Sequence, residues 1–292
     1  MRIYHISDLH FGLHCLNPLQ LFTKRLLGSL NYFIKRRFAH SKDLCDEFIT
    51  SINPKQGDIV LISGDFTTTS QRREYQMGIK FIQALSEKGL LVYAIPGNHD
   101  AYTRYTVHKD AFYNHFCGLL PFKGEFELDL RKDKVAAHRL ENHQWLVLLD
   151  CSTYTGYLKS SGLFSKKIEE KLIIALSKIP SQDSIYLSCH YPFFQHEAPR
   201  RRLERGKNLQ ALLEKHPNVQ LYLHGHTHRH SLADLRENGL PLISDAGSLS
   251  IKKRATYNLI DIQDHKIEFQ VHRYNNHQWE QESVHAFKTN TK

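Results

Sequence analysis

The residues able to do chemistry come in five clusters: "SDLH" (7 to 10), "SGDF" (63 to 66), "GNHD" (97 to 100), "CHYP" (189 to 192) and "HGHTHRH" (224 to 230). They supply carboxylates at Asp8, Asp65 and Asp100, an amide at Asn98, and imidazoles at His10, His99, His190, His226 and His228. Mixed nitrogen and oxygen donors suit Mn, Fe or Zn better than the all-oxygen shell that Ca or Mg prefers. Two histidines one residue apart can ligate neighbouring ions if a carboxylate holds those ions roughly 3.5 to 4 Å apart. Asp65 is the natural bridge. Were the last cluster extended, His224, His226, His228 and His230 would all face one way. Gly64, Gly97 and Gly225 adjoin these groups, where a turn needs positive φ or the backbone must come close to an ion.

Something must deliver those clusters to one place. Each follows a short apolar run: "RIYHIS", "DIVLISG", "LLVYAIPG", "SIYLSC" and "VQLYLHG", with "WLVLLD" a sixth run ending at Asp150. Runs this short, rich in Ile, Val and Leu and closed by turn residues, read as buried strands. Between them lie helical patterns, notably residues 73 to 89, closed by Gly89, and 165 to 180, stopped by Pro180. Alternating strands and helices predict an α/β sandwich, and in such folds ligands sit just past the carboxyl ends of strands. A lone aspartate there is usually a helix cap, but five clusters at five strand ends are not explained that way. The segment from about 240 to 275 changes character: successive strands without helices, expected to complete a second sheet.

Composition sets the outer bounds. The 292 residues are 41% hydrophobic and 24% charged, enough for one large domain over 1 to 292, with no repeat or linker to divide it. No apolar run is long enough to span a bilayer. The start lacks a secretory apolar stretch and cleavage site, which predicts a cytoplasmic protein. Five scattered cysteines (Cys15, Cys45, Cys117, Cys151 and Cys189) show no zinc or disulfide spacing and read as reduced. A formal charge of +9 favours anionic partners, either phosphates, nucleic acid or acidic lipid.

As they stand, "DLH", "GDF", "GNHD", His190 and "GHTH" resemble, in order, the five blocks of the calcineurin-like metallophosphoesterase superfamily. The resemblance implies a four-layer αββα sandwich with two mixed β-sheets and a binuclear metal centre between them. It assigns Asp8, His10 and His228 to one ion, Asn98, His190 and His226 to the other, Asp65 to both, and His99 to catalysis. Two cations there acidify a shared water and neutralise phosphoryl oxygens. His99 is then placed to protonate the leaving group, with Asp100 as its candidate orienting partner.

Substrate choice rests on less. Tyr102, and the arginines Arg200, Arg201 and Arg202 that follow His190, are the expected substrate-binding residues, since planar guanidinium groups suit oxyanions. Residues 16 to 42 contain no Asp or Glu and place Leu19, Phe22, Leu26, Leu30, Phe33 and Ile34 at helical spacing opposite Lys24, Arg25, Lys35 and Arg36. That basic amphipathic insertion reads as core packing, a lid, or a peripheral contact with an anionic membrane at its inner face. By motif style the chain is similar to bacterial class III cyclic-nucleotide phosphodiesterases, implying a nucleotide-type diester as substrate and two Mn ions, with Fe or Zn as alternatives. A UDP-2,3-diacylglucosamine pyrophosphatase of lipid A synthesis, acting at the membrane surface, would use the same centre. A nuclease or nucleic-acid-binding protein is the third alternative, although no nucleic-acid module signature is present.

Overall fold

The computed structural model describes residues 1 to 12, 41 to 141, 143 to 194 and 197 to 289. The amphipathic insertion therefore lies outside the described residues except for Ser41 and Lys42, as does Cys15.

Two six-stranded sheets face each other. The first holds β1 (Arg2–Ile6), β2 (Ile59–Ile62) and β3 (Leu91–Ala94), with β12 (Thr256–Gln263), β13 (Lys266–Asn275) and β14 (Gln278–Lys288), in the order β14-β13-β12-β1-β2-β3. The second holds β4 (Val135–Glu141), β5 (Gln144–Leu149), β7 (Ser184–Cys189), β9 (Val219–His224), β10 (Ser231–Asp234) and β11 (Leu242–Asp245), in the order β10-β11-β9-β7-β5-β4. Both are mixed. Strands β1, β2 and β3 are parallel, as are β5, β7, β9 and β11, while β12 runs antiparallel to β1 and β4 antiparallel to β5. A small parallel pair, β6 (Gly162–Leu163) with β8 (Leu203–Glu204), stands apart.

The side-chain period of two assigns each strand residue to a layer. On β5, Leu146 and Leu148 join the core between the sheets, whereas Trp145, Val147 and Leu149 join the core beneath the outer helices. Helices α1 (Asp43–Ser51) and α2 (Arg72–Glu87) bury Cys45, Phe48, Phe81, Ile82 and Leu85 on the first sheet. Helices α3 (Lys166–Lys178) and α4 (Gly206–Leu213) bury Ile168, Leu172, Leu209 and Leu213 on the second. Phe48, fully buried and edge-on to Tyr257, contributes about 2 to 3 kcal/mol by leaving water. The expected four-layer αββα arrangement is what forms.

One expectation is corrected. The C-terminal strands do not complete a second sheet together: β11 enters the second sheet beside β9, whereas β12, β13 and β14 extend the first sheet from β1. The strand-rich region also runs on past 275, through β14. Strand β1 thus lies inside its sheet, paired on both sides, and its carboxyl end opens on the same rim as those of β2 and β3.

Among the described residues no helix is long and apolar enough to cross a membrane. Cys45, Cys151 and Cys189 are buried free thiols and Cys117 is an exposed one.

Candidate metal centre

Asp8 and His10 follow β1, Asp65 follows β2, Asn98 and His99 follow β3, His190 follows β7, and His226 and His228 follow β9. Parallel strands end at one rim, so all these groups arrive together. Asp8, His10, Asp65 and His228 each place a ligand atom within 4.8 Å of the others'. His10 Nε2 and His228 Nε2 lie 3.0 Å apart and face Asp8 Oδ1 at 3.4 and 2.9 Å. Asp65 Oδ2 stands 3.8 Å from His10 Nε2 and 3.5 Å from His190 Nε2, within reach of both halves of the centre. On the far side, His226 Nδ1 meets Asn98 Oδ1 at 2.9 Å.

Hydrogen bonds fix which nitrogens are available. His190 Nδ1 donates to the Ser63 carbonyl at 2.7 Å, and its Nε2, buried toward Asp65, has no hydrogen-bond partner among the described residues. His226 Nε2 donates to the Arg201 carbonyl at 2.9 Å, so in the neutral ring Nδ1 presents a lone pair to the Asn98 oxygen. Two acceptors in contact repel unless something positive lies between them. The residues therefore fit a pair of divalent cations, one among Asp8, His10, Asp65 and His228, the other among Asp65, Asn98, His190 and His226.

The electrostatics agree. Burial opposes charge on His190, but the Asp65 and Asp8 carboxylates outweigh it and lift its pKa to about 10. Burial would raise Asp65 too, yet His190, His99 and His10 hold it below the usual carboxylate range. Asp8 is likewise held well down, chiefly by His228 against its own burial. Burial, helped by His190, lowers His226 to about 3. These are ionised carboxylates in a dry site, which call for positive charge.

Backbone strain marks the same residues. Asp8 (φ 55°), His10 (47°), Asp65 (57°), His226 (71°) and His228 (57°) all adopt the left-handed region that non-glycine residues avoid. Such strain clusters where surrounding structure over-determines a site. Glycine serves the centre by close approach: a Cβ on Gly225 would lie 1.9 Å from Ser7 Oγ and 2.5 Å from Asp8 Oδ2. The stretch is not extended, and its four histidines do not form one row. Strand β9 stops at His224, and the turns at His226 and His228 send those two rings to the centre. His224 instead lies 3.3 Å from Asp245, and His230 bonds Asn258 at 3.0 Å.

His99 has its main-chain N–H on Asp65 Oδ1 at 2.8 Å and its Nδ1 on the Thr68 carbonyl at 2.6 Å, with its ring 4.8 Å from that of His10. With Nδ1–H given to that carbonyl, Nε2 is the ring's other site for a proton. Asp100 was expected to orient that ring. Its carboxylate instead accepts from the backbone N–H groups of Phe66, Thr67 and Gly97 and from Thr67 Oγ1, tying the loops after β2 and β3 together. The ring's Nδ1 is held by the Thr68 carbonyl, while both Asp100 oxygens are taken up by N–H and O–H donors of the neighbouring loops. Burial and Asp65 raise Asp100 to about 7. Tyr102 is only 7% exposed and stacks on His99 at 5.5 Å, an arrangement that steadies the His99 ring.

The arginine segment does reach the centre, through its backbone. The Arg201 carbonyl holds His226, the Arg201 guanidinium lies 3.4 Å from Glu197, Arg202 Nε donates to the Glu197 carbonyl, and Arg200 is exposed. Sequence reasoning missed the turn after β11. There Asp245 accepts from Thr227 Oγ1 at 2.6 Å, and Ser248 and Ser250 donate to the Asp8 carbonyl at 2.7 and 3.1 Å. The only available signal was "SDAGSLS" closing one more apolar run.

Residues 1 to 230 match the family model described as calcineurin-like phosphoesterase. The chain belongs to that family. Its fold is similar to that of a dimetal phosphatase from Danio rerio, at 13% identity and a TM-score of 0.61, with 99% of this chain and 98% of that one covered. It is also similar to the sulfate thiohydrolase SoxB of Thermus thermophilus, at 14% identity and a TM-score of 0.50, over 98% of this chain and 56% of that one. None of the curated proteins matches it in sequence. Membership in this family makes the chain a metal-dependent phosphohydrolase by descent, with a centre whose donors suit two divalent ions.

Proposed function

We propose that this protein is a phosphodiesterase acting on a nucleotide-type diester such as a cyclic nucleotide, in the cytoplasm, with manganese as the working pair. The observation that carries the reading is the 2.9 Å bond from His226 to the Arg201 carbonyl. It brings the backbone of a segment with three consecutive arginines, Arg200, Arg201 and Arg202, to the metal centre, which supports a role for their guanidinium groups against a phosphate and its neighbouring anionic groups.

When bound, the two cations supply an acidified water and charge neutralisation of the phosphoryl oxygens. The remaining work falls to the chain. His99, its Nδ1–H on the Thr68 carbonyl, would carry a second proton on Nε2 as the imidazolium and give that proton to the departing alkoxide, returning to the neutral ring. A diester needs that donor, because its leaving group is a poor one at neutral pH. Asp100 and Thr67 keep the loops of Asp65 and His99 in register.

A second reading has an observation of its own. Tyr157 and Leu158 are 56% and 81% exposed on a loop whose Ser160 N–H donates to the Arg200 carbonyl at 2.9 Å. Exposed apolar groups on a loop bonded to the arginine segment favour a lipid-linked diphosphate, such as a UDP-diacylglucosamine, met at an anionic membrane surface. The deciding experiment is a panel on Mn-reconstituted protein: bis-p-nitrophenyl phosphate, p-nitrophenyl phosphate, cyclic AMP, and UDP-diacylglucosamine in detergent micelles, each with a chelator control. Chelator-sensitive turnover of cyclic AMP above the rest supports the first reading. Preference for the micellar substrate replaces it with the second, and preference for the monoester refutes both.

A further inference from the structure

We propose that Asp245 is a positioning residue for the metal-binding loop after β9, acting through Thr227. Thr227 is the residue between the two ligating histidines, and both of those sit at positive φ. Left-handed residues of this kind cost of order 1 to 3 kcal/mol each and persist only under outside constraint. The constraint is a chain of three hydrogen bonds. Arg229 N donates to Thr227 Oγ1 at 3.2 Å, Thr227 Oγ1 donates to Asp245 Oδ2 at 2.6 Å, and Gly247 N donates to Asp245 Oδ1 at 2.8 Å.

Asp245 is the fixed end of that chain. It is the last residue of β11, fully buried, paired in register with His224 of β9, and 3.3 Å from the His224 ring. Both strands are interior to the sheet, so the backbone that carries the carboxylate is held on both sides. The turn just beyond it, through Ser248 and Ser250, holds the Asp8 carbonyl as well. One support thus sets His226, His228 and Asp8, which belong to both halves of the centre. Removing the Thr227 hydroxyl frees the two imidazoles to point apart and leaves the core beneath untouched, because Thr227 is only half-buried.

The test measures metal binding, independently of any substrate. Thr227→Val keeps the shape and deletes the hydroxyl, whereas Thr227→Ser keeps the hydroxyl. Metal-free protein is titrated with Mn, followed by calorimetry and by the electron paramagnetic resonance of free Mn, and its thermal unfolding is recorded without metal. Thr227→Val should weaken Mn binding about 10- to 100-fold, the usual effect of losing an outer-shell partner, with the metal-free Tm unchanged. Thr227→Ser should bind as the parent does. Parental affinity in Thr227→Val overturns the proposal, and so does equal weakening in the Val and Ser variants. Should Thr227→Val fold poorly, Thr227→Ala introduces no new atoms and is judged by the same two outcomes.

Discussion

Buried histidine at the edge of the sandwich makes acid stability a quantitative matter. His138 on β4 lies opposite Leu146, packs against Tyr93 of the other sheet at 5.0 Å, and is 8% exposed. Its Nε2 has no hydrogen-bond partner among the described residues, and burial pushes its pKa down to about 4. Above pH 6.5 the ring is neutral whether the chain is folded or not, so it adds no pH dependence there. Between pH 6.5 and 4 the unfolded chain takes up a proton that the folded protein refuses, and stability falls as the pH falls. At pH 5 the loss is about 2 kcal/mol, approaching about 3 kcal/mol below pH 4, at 1.36 kcal/mol per pKa unit. The assay is urea unfolding of metal-free protein from pH 7.5 to pH 5, the parent against His138→Gln, which does not titrate. Subtracting the two curves cancels every other titrating group. The variant should lose about 2 kcal/mol less than the parent over that interval. Parallel loss in the two proteins would refute the reasoning, as would an NMR titration placing His138 near 6.5.

Other expectations can be checked with few reagents. His99→Ala should retain its metal by elemental analysis while hydrolysing bis-p-nitrophenyl phosphate about 10²- to 10⁴-fold more slowly, the usual worth of a positioned general acid. Gly225→Ala drives a methyl group into Ser7 and Asp8, so it should lower both the Tm and the Mn affinity, read by calorimetry. Tyr113→Phe deletes a buried hydroxyl that donates to Asp150 at 2.6 Å, and urea unfolding should show a loss of about 1 to 3 kcal/mol. Chelation removes the counter-charge from Asp8 and Asp65, so the Tm should fall on adding chelator and recover on adding Mn.

Legibility in the sequence followed from how local each feature is. Strands such as Ile59–Ile62 and Ser184–Cys189 announce themselves because both faces are buried, which leaves continuous apolar runs. Helix α2 was equally plain, since its buried Tyr75, Phe81, Ile82 and Leu85 recur at helical spacing. The candidate ligands stand out because each sits within four residues of such a strand. Strand β14 gave no such signal: "QWEQESVHAFK" covers a sheet edge with mostly exposed residues, so pairing, not burial, makes it a strand. Main-chain supports are the hardest case. The carbonyls of Thr68 and Arg201 orient His99 and His226, and a carbonyl group leaves no trace in residue identity. The mis-assigned partner of His99 followed from that, because Asp100 was the adjacent side chain able to accept a proton.

The interior position of β1 has a bearing on how the protein comes into being. Arg2 pairs with Asp261, so β1 and β12 leave the ribosome 259 residues apart. At roughly 5 to 20 residues per second that gap lasts tens of seconds. Through that interval β1 has an open flank, and Asp8 and His10 wait at the end of a half-built sheet for Asp245 and the serines that follow it. Metal capture is then a late event in biogenesis, and an earlier divalent ion would meet loose carboxylates and imidazoles without the geometry to select it.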